Sequence, residues 1–185
     1  MRILHVSDIH SASAAFKRVI EKEKFDVLVV TGDFERLKDV EPLKHVKVPV
    51  IAVHGNFYEG PDVLEALEPF DIGGRVLDIA GWKWVGVGFG QEVPDVEHSD
   101  KLIFVTHEPP FGAGDLSWVG PVGNREFRKA AQRLKPQFWL CGHIHEGRGV
   151  FDIGKTVVVN AGSIAEKSYA MIDTESKKVT MKILR

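Results

Sequence analysis

Several features are scarce in this chain, and each absence excludes a class of protein. The 185 residues include one cysteine, Cys141, so no internal disulfide can form and a disulfide-stapled secreted scaffold is excluded. No apolar run approaches the roughly 20 residues that a membrane-spanning helix needs, and no signal-peptide pattern follows Met1. These absences predict a protein of the cytoplasm that does not enter a membrane.

The chain also lacks a block of basic residues. Its 24 lysines and arginines are outnumbered by 26 acidic residues, which gives a formal net charge of -2. Proteins that bind nucleic acid draw much of their affinity from Lys and Arg contacts to phosphates, so the composition disfavours nucleic acid as a partner. The composition does not exclude a small phosphorylated substrate, because bound cations can supply positive charge locally. The composition does not indicate an oligomeric state.

Five apolar segments that read as β-strands each end at a residue able to bind a metal ion. The residues at these strand ends are Asp8 and His10, Asp33, Asn56, His107, and His143 and His145. In open α/β sheets, sites form just beyond the carboxyl ends of the strands. Residues two apart at a strand end point the same way, so each pair can converge on one spot. The pattern therefore predicts a metal site.

The order of the predicted elements indicates an α/β fold. The first half alternates strands with helices, one of them over residues 37–44, and residues 25–30 form the continuous apolar run of a strand covered on both faces. The second half carries a hairpin around Gly81, a helix over residues 124–134 and, from residue 150 onward, four strands that we predict to be antiparallel. A long irregular loop over residues 109–123 is of a kind that is usually functional. Two packed sheets flanked by helices would bury both kinds of strand.

The strand-end residues form an ordered signature that covers nearly the whole chain. Its parts are Asp8-x-His10, Gly32-Asp33, Gly55-Asn56, His107 and Gly142-His143-x-His145. In this order the signature resembles that of the calcineurin-like metallophosphoesterase superfamily. The segments around His107, His143 and Asn160 are similar to those of its small, compact phosphodiesterase branch. The resemblance implies a four-layer αββα sandwich of two mixed sheets, and we expect residues 1–185 to form one such domain.

The resemblance also implies two divalent metal ions that share one carboxylate. One ion would be held by Asp8, His10, Asp33 and His145, and the other by Asp33, Asn56, His107 and His143. Nitrogen and oxygen ligands without thiolate suit Mn²⁺, Fe, Zn²⁺ or Ni²⁺, and we expect Mn²⁺ first. Such a pair can clamp a phosphate and provide a bridging hydroxide for in-line displacement. The expected reaction is hydrolysis of a small phosphodiester, with Asp33 and Asn56 in catalytic roles.

One position departs from the family pattern. The superfamily usually has a histidine after the Gly-Asn pair, thought to protonate the leaving group, whereas this chain has Phe57. Loss of a general acid typically costs on the order of 10²–10⁴ in rate. His54, Tyr58 or a metal-bound water are the candidate replacements, and we assign Asn56, Phe57 and His54 to substrate contact. Phe57 predicts a preference for aryl diesters, whose leaving groups need little protonation.

Several candidate residues also have a structural interpretation. Asp8 and Asp33 precede predicted helices and could cap them, and the Gly55-Asn56 pair suits a tight turn. Cys141 is better explained as a buried thiol than as a ligand. Asn124 is a predicted helix N-cap, and it could also offer that helix N-terminus to a substrate phosphate.

Three other functions compete with a phosphodiesterase. A phosphomonoesterase, including a protein phosphatase, would use the same metal centre, but Phe57 argues against it. A nuclease of the superfamily is disfavoured by the small size and by the lack of a basic groove. Some members of the fold have lost catalysis and bind other proteins, as one subunit of the retromer coat does. A metal-binding but weakly catalytic scaffold is therefore the alternative from another functional class.

Overall fold

The computed structural model describes residues 1–57 and 59–185, and it contains two large β-sheets with helices on their outer faces. Its main strands in chain order are β1 Arg2–Val6, β2 Val27–Thr31, β3 Val50–Val53, β4 Val76–Ile79, β5 Trp82–Val87, β6 Leu102–Thr106, β7 Leu116–Ser117, β8 Gly120–Pro121, β9 Phe138–Cys141, β10 Gly149–Ile153, β11 Thr156–Asn160, β12 Ser168–Asp173 and β13 Lys178–Ile183. The α-helices are α1 Ser13–Lys22, α2 Leu37–Val40, α3 Pro61–Leu67 and α4 Arg125–Leu134, with 3-10 helices at Glu41–His45, His145–Gly147 and Ile164–Glu166. Tyr58, one of the candidate proton donors, lies outside the described residues.

The first sheet has the strand order β13-β12-β1-β2-β3. β1, β2 and β3 run parallel, with Leu4 opposite Leu28 and Val30 opposite Ala52, while β12 is antiparallel to β1. All five residues of β2 are buried, as expected for a central strand covered on both faces. The carboxyl ends of β1, β2 and β3 therefore meet at one edge of this sheet.

The second sheet has the strand order β10-β11-β9-β6-β5-β4. The predicted hairpin is confirmed, since β4 and β5 are antiparallel and Ala80 and Gly81 between them have φ angles of 51° and 74°. The prediction that all four last strands are antiparallel is wrong for β11, which pairs parallel with β9 with Val159 opposite Leu140. β11 lies between β9 and the edge strand β10. The chain reverses its direction between β10 and β11, and β11 therefore runs in the same direction as β9.

Three separate apolar clusters confirm the four-layer αββα sandwich. The first lies between the first sheet and helices α1, α2 and α3, the second between the two sheets, and the third between the second sheet and α4. In the third cluster, the rings of Phe104 and Trp139 are stacked with centroids 4.3 Å apart. Trp82 and Trp84 are buried in the second cluster, so they serve core packing.

Two connecting segments differ from their predictions. The single helix predicted over residues 37–44 is a short α-helix, α2, followed by the 3-10 helix Glu41–His45, which contains Pro42; proline lacks the N–H that a continuing α-helix would need. The loop over residues 109–123 contains the short antiparallel ribbon of β7 and β8. The Asp115 carboxylate ties that loop together by accepting hydrogen bonds from the N–H groups of Gly112 and Gly123, at 2.8 and 3.0 Å.

None of the helices within residues 1–57 and 59–185 has both the length and the apolar character needed to cross a lipid bilayer.

Candidate metal centre

The backbone is strained at the strand ends where the predicted ligands lie. Asp8, His10, Asp33 and His143 all have positive φ angles, of 51°, 42°, 58° and 66°. Each non-glycine residue held in this region costs on the order of 1–3 kcal/mol, and such residues cluster at functional sites. The fold thus concentrates unfavourable backbone conformations at the point where these side chains converge.

Asp8, His10 and His145 come together with Asp33 in a group that we call the first sub-site. The Asp8 Oδ1 atom lies 3.3 Å from Nε2 of His145 and 3.9 Å from Nε2 of His10. Nε2 of His10 also lies 3.2 Å from Oδ2 of Asp33. These four ring or carboxylate atoms, from the loops after β1, β2 and β9, form an arrangement suited to a cation.

Asp8 carries the clearest sign of a cation site. Its side chain is fully buried, and Oδ2 accepts hydrogen bonds from the Ser7 hydroxyl at 2.5 Å and from the His143 N–H at 3.0 Å. Oδ1 has no hydrogen-bond donor within the described part of the chain. A buried carboxylate oxygen without a donor is strongly unfavourable, and a divalent cation beside His10 and His145 would satisfy it.

Asn56, His107 and His143 form, with Asp33, the second sub-site. Nε2 of His107 lies 2.7 Å from Oδ1 of Asn56 and 3.5 Å from Oδ1 of Asp33. The rings of His107 and His143 have centroids 4.9 Å apart. Burial, followed by the positive charge of His107, lowers the pKa of His143, so its imidazole stays neutral, which is the form that binds metals.

Asp33 lies between the two sub-sites. Its Oδ2 faces His10, while its Oδ1 faces His107 and accepts the N–H groups of Asn56 and Phe57 at 3.0 and 2.9 Å. Each of its oxygens therefore borders a different sub-site. This is the placement that a bridging carboxylate requires.

The outer nitrogens of three histidines are fixed by oxygen acceptors. Nδ1 of His10 lies 3.0 Å from Oε1 of Glu35, and Nδ1 of His145 lies 3.5 Å from Oε1 of Glu166. Nδ1 of His107 lies 2.7 Å from the Thr31 carbonyl oxygen, which can only accept a hydrogen bond. Such contacts fix the tautomer and leave Nε2 facing inward, as in metal-binding histidines generally.

The charge of Asp8 and that of His145 are linked. Burial alone would raise the pKa of Asp8, but the close contact with His145, the charge of His107 and the hydrogen bond from Ser7 hold it below its ordinary value. The same contact with Asp8 raises the pKa of His145. In the protein without metal, His145 therefore keeps its proton to a higher pH than a free imidazole does, and a cation that binds there competes with that proton.

Two glycines in the signature are explained by close approach. A side chain at Gly55 would overlap the Asp33 carboxylate, and one at Gly142 would overlap Ser7 and the Asp8 carboxylate. The Gly-Asn and Gly-His pairs therefore let the loops after β3 and β9 close against the carboxylates of the first sheet.

The remaining predicted site residues divide into two groups. The half-exposed Phe57 ring lies edge-on to His10, with centroids 5.3 Å apart, and so borders the first sub-site. Nδ1 of His54 lies 3.2 Å from Oδ2 of Asp71, and that hydrogen bond raises the pKa of His54. Among the described residues, His54 and Asn124 make no hydrogen bond or ion pair with the seven predicted ligands.

Asn124 is occupied as a helix cap. Its Oδ1 accepts hydrogen bonds from the N–H groups of Glu126 and Phe127, at 2.9 and 3.2 Å, at the start of α4. This confirms the predicted N-cap. The helix N-terminus there also carries an acidic first turn through Glu126, which does not favour a phosphate.

Several supporting residues were missed by the sequence analysis. Glu35, Glu166 and Thr31 contact histidines that are predicted ligands, and only Glu35 had a sequence signal, since it follows Asp33 by two residues. Asn160 holds the turn around His143, because its Nδ2 donates to the carbonyl oxygens of Gly142 and Ile144 at 3.2 and 2.8 Å. These contacts join distant parts of the chain, so spacing alone does not reveal them.

Comparisons with known proteins agree with this geometry. The sequence model described as "Calcineurin-like phosphoesterase superfamily domain" matches residues 1–177. The uncharacterized protein MJ1162 of Methanocaldococcus jannaschii is 30% identical over 98% of this chain and 95% of that protein.

Solved structures share the fold. TT1561 of Thermus thermophilus aligns with a TM-score of 0.69 at 14% identity, over 100% of this chain and 99% of that one. Vps29 of Entamoeba histolytica, solved in complex with zinc, aligns with a TM-score of 0.57 at 14% identity, over 100% of this chain and 98% of that one. At these identities the likeness shows the fold alone. On the family match across its length, the chain belongs to the calcineurin-like phosphoesterase superfamily.

Proposed function

We propose that this chain is a binuclear metal-dependent phosphodiesterase that hydrolyses a small phosphodiester. The observation that carries the proposal is the position of Asp33, whose two carboxylate oxygens face different sub-sites. When bound, two divalent cations would act as Lewis acids on the phosphate and lower the pKa of the attacking water. Family membership supports a phosphoric ester hydrolase, and the choice of a diester is the proposal's own.

The donor set supports the choice of cation. Three carboxylate or amide side chains and four histidines surround the centre, and the nearby Cys141 thiol is buried and donates to the Val159 carbonyl at 3.6 Å. Without a thiolate ligand, Mn²⁺, Fe, Zn²⁺ and Ni²⁺ all suit the site. We propose Mn²⁺ as the first choice. We also propose a reducing compartment, the cytoplasm, because the chain has a single cysteine.

The residues of this chain would have separate tasks. Asp33 and Asn56 would hold the centre and contact the phosphate, while Phe57 would present an apolar wall beside His10 instead of a proton donor. His54 is the proposed substitute donor among the described residues, because Asp71 fixes its Nδ1 and leaves Nε2 as the other ring nitrogen. Both sheets contribute ligands around a shared core, so we also propose that residues 1–185 work as one domain.

The test is hydrolysis of bis-(p-nitrophenyl) phosphate beside p-nitrophenyl phosphate, using metal-free protein reloaded with Mn²⁺, Zn²⁺, Ni²⁺ or Mg²⁺. The proposal predicts metal-dependent diester cleavage well above monoester cleavage. Faster cleavage of the monoester would instead support the phosphomonoesterase alternative. Metal binding without turnover of either ester would support a scaffold, an interpretation that the apolar Phe57 beside His10 favours and that would call for a search for a protein partner.

A further inference from the structure

Phe89 is an exposed aromatic residue at the edge of the second sub-site. It follows β5 after Gly88, and 42% of its side chain is exposed. Its ring centroid lies 6.2 Å from that of His107 and 6.1 Å from that of His143. Its N–H donates to the His54 carbonyl oxygen at 3.3 Å, which fixes the start of this loop. The ring thus combines a defined position beside two predicted ligands with a free apolar surface.

A cavity lies beside the segment that follows Phe89 in the chain. It has a volume of about 900 Å³ and lies between residues 90–93 and helix α4. Two of its lining residues adjoin this region in the chain, since Gly90 follows Phe89 and Glu108 follows His107. The lining combines the apolar side chains of Val93, Phe127 and Ala130 with charged ones, which are Glu92, Glu108, Glu126, Lys129 and Arg133. Ligand sites commonly combine apolar and aromatic walls with a few polar groups.

The two exposed phenylalanines border different halves of the centre. Phe57 lies edge-on to His10 of the first sub-site, whereas Phe89 lies against His107 and His143 of the second. A diester carries two ester groups on one phosphate, and the cavity lies on the Phe89 side. One ester group can therefore rest on Phe89 while the phosphate occupies the metal centre.

We infer that Phe89 is a specificity-determining residue that receives the ester group retained on the phosphate, and that this group is a planar aromatic one. The inference rests on the proposed phosphodiesterase function and narrows its substrate class to diesters that bear an aryl or heteroaromatic ester group. Aromatic pairs favour offset or edge-to-face contacts beyond simple area burial, which corresponds here to a preference of about three- to tenfold.

The test compares two substrates that share a leaving group. Phenyl p-nitrophenyl phosphate and cyclohexyl p-nitrophenyl phosphate both release p-nitrophenolate, and their retained groups have similar size but differ in planarity. With saturating Mn²⁺, the expected kcat/KM ratio is about three- to tenfold in favour of the phenyl ester. Phe89→Ala should bring that ratio close to one, mainly through KM, and Phe89→Trp should preserve it.

Two controls separate this role from a structural one. Leu64→Ala removes an apolar side chain of the same exposed fraction, 42%, from helix α3, and it should leave the ratio unchanged. The bound metal of each variant is counted by mass spectrometry. A Phe89→Ala protein that loses metal and slows equally on both esters would overturn the inference, because the ring would then merely support His107 and His143.

Two further outcomes distinguish failure of the inference about Phe89 from failure of the proposed function. If the unaltered protein cleaves both diesters and Phe89→Ala keeps the phenyl preference with full metal content, the inference is wrong and the proposed function stands. If the unaltered protein cleaves neither ester with Mn²⁺, Zn²⁺, Ni²⁺ or Mg²⁺, the proposed function fails, and the inference fails with it.

Discussion

The two sub-sites share Asp33 but differ in charge. The first adds the carboxylate of Asp8, and its histidines are backed by two more carboxylates, those of Glu35 and Glu166. The second adds a neutral amide, Asn56, and its His107 is backed by a backbone carbonyl oxygen. Opposite charges attract most strongly where water is excluded, so the first sub-site should bind a divalent cation more tightly. The second should keep a more Lewis-acidic ion beside the substrate.

The largest effect is expected where the sub-sites meet. Asp33→Asn removes the charge that both share, so neither sub-site should retain its ion through gel filtration, and diester hydrolysis should fall by about 10³-fold or more. The measurement is metal content by mass spectrometry together with the rate on bis-(p-nitrophenyl) phosphate. A variant that retains two ions per chain would refute the bridging role of Asp33.

A substitution at a residue that contacts a histidine of the first sub-site should weaken metal binding at that sub-site selectively. Glu35→Gln keeps the size of the side chain but removes the charge that orients His10, and losses of such partners typically cost about 10–100-fold in metal affinity. Titration of metal-free protein with Mn²⁺ should show the tighter step weakened and the other step unchanged. Glu41→Gln, on an exposed side chain, is the matched control. Equal weakening of both steps would contradict the division into sub-sites.

Adding a negative charge to the second sub-site should reduce the difference in Mn²⁺ affinity between the two sub-sites. Asn56→Asp replaces the amide that lies 2.7 Å from His107 with a carboxylate. The weaker Mn²⁺ affinity should rise by about tenfold, in line with the larger attraction between full charges at short range. The same titration measures it. If the two Mn²⁺ affinities stay as far apart as in the unaltered protein, the neutral amide of Asn56 is not the cause of their difference.

The pH dependence should also differ between the sub-sites. The pKa of His145 is raised above 6.5 by Asp8, so as pH falls through that value a proton competes for the first sub-site. The pKa of His143 lies below 6.5, so the second sub-site meets this competition only at lower pH. From pH 8 to 6.5, the Mn²⁺ affinity of the first sub-site should therefore fall more steeply, by at most about tenfold per pH unit. A steeper fall at the second sub-site would contradict this assignment.

A smaller effect concerns His5, which is buried in β1 and not in the centre. Its burial lowers its pKa to about 3, against 6.5 when exposed. Between pH 6.5 and 3, the unfolded chain therefore binds a proton at His5 that the folded chain does not bind. The free energy of unfolding should decrease as pH falls through this range. His5→Phe should flatten this decrease in urea unfolding experiments. An unchanged pH slope would show that other groups cause the acid sensitivity.

The convergence of the predicted ligands could be expected because they follow the ends of strands. The spacing of Asp8 and His10 after β1 correctly placed both in the first sub-site. The same argument was wrong for His143 and His145 after β9, which lie in different sub-sites because the chain turns at His143, with a φ of 66°. The parallel pairing of β11 with β9 could not be predicted, since a run such as Val157–Val159 suits either direction. Glu166 was missed because its contact with His145 depends on how β12 returns beside β1. The change from α-helix to 3-10 helix near Pro42 could have been predicted from the sequence, because proline disfavours a continuing α-helix.

The most direct test of the binuclear centre is the anomalous diffraction of crystals of the Mn²⁺-loaded protein. We expect two peaks about 3.5–4 Å apart, one among Asp8, His10 and His145 and the other among Asn56, His107 and His143, with Asp33 between them. A single peak, or two peaks that do not share Asp33, would contradict the binuclear centre on which the proposed phosphodiesterase function depends.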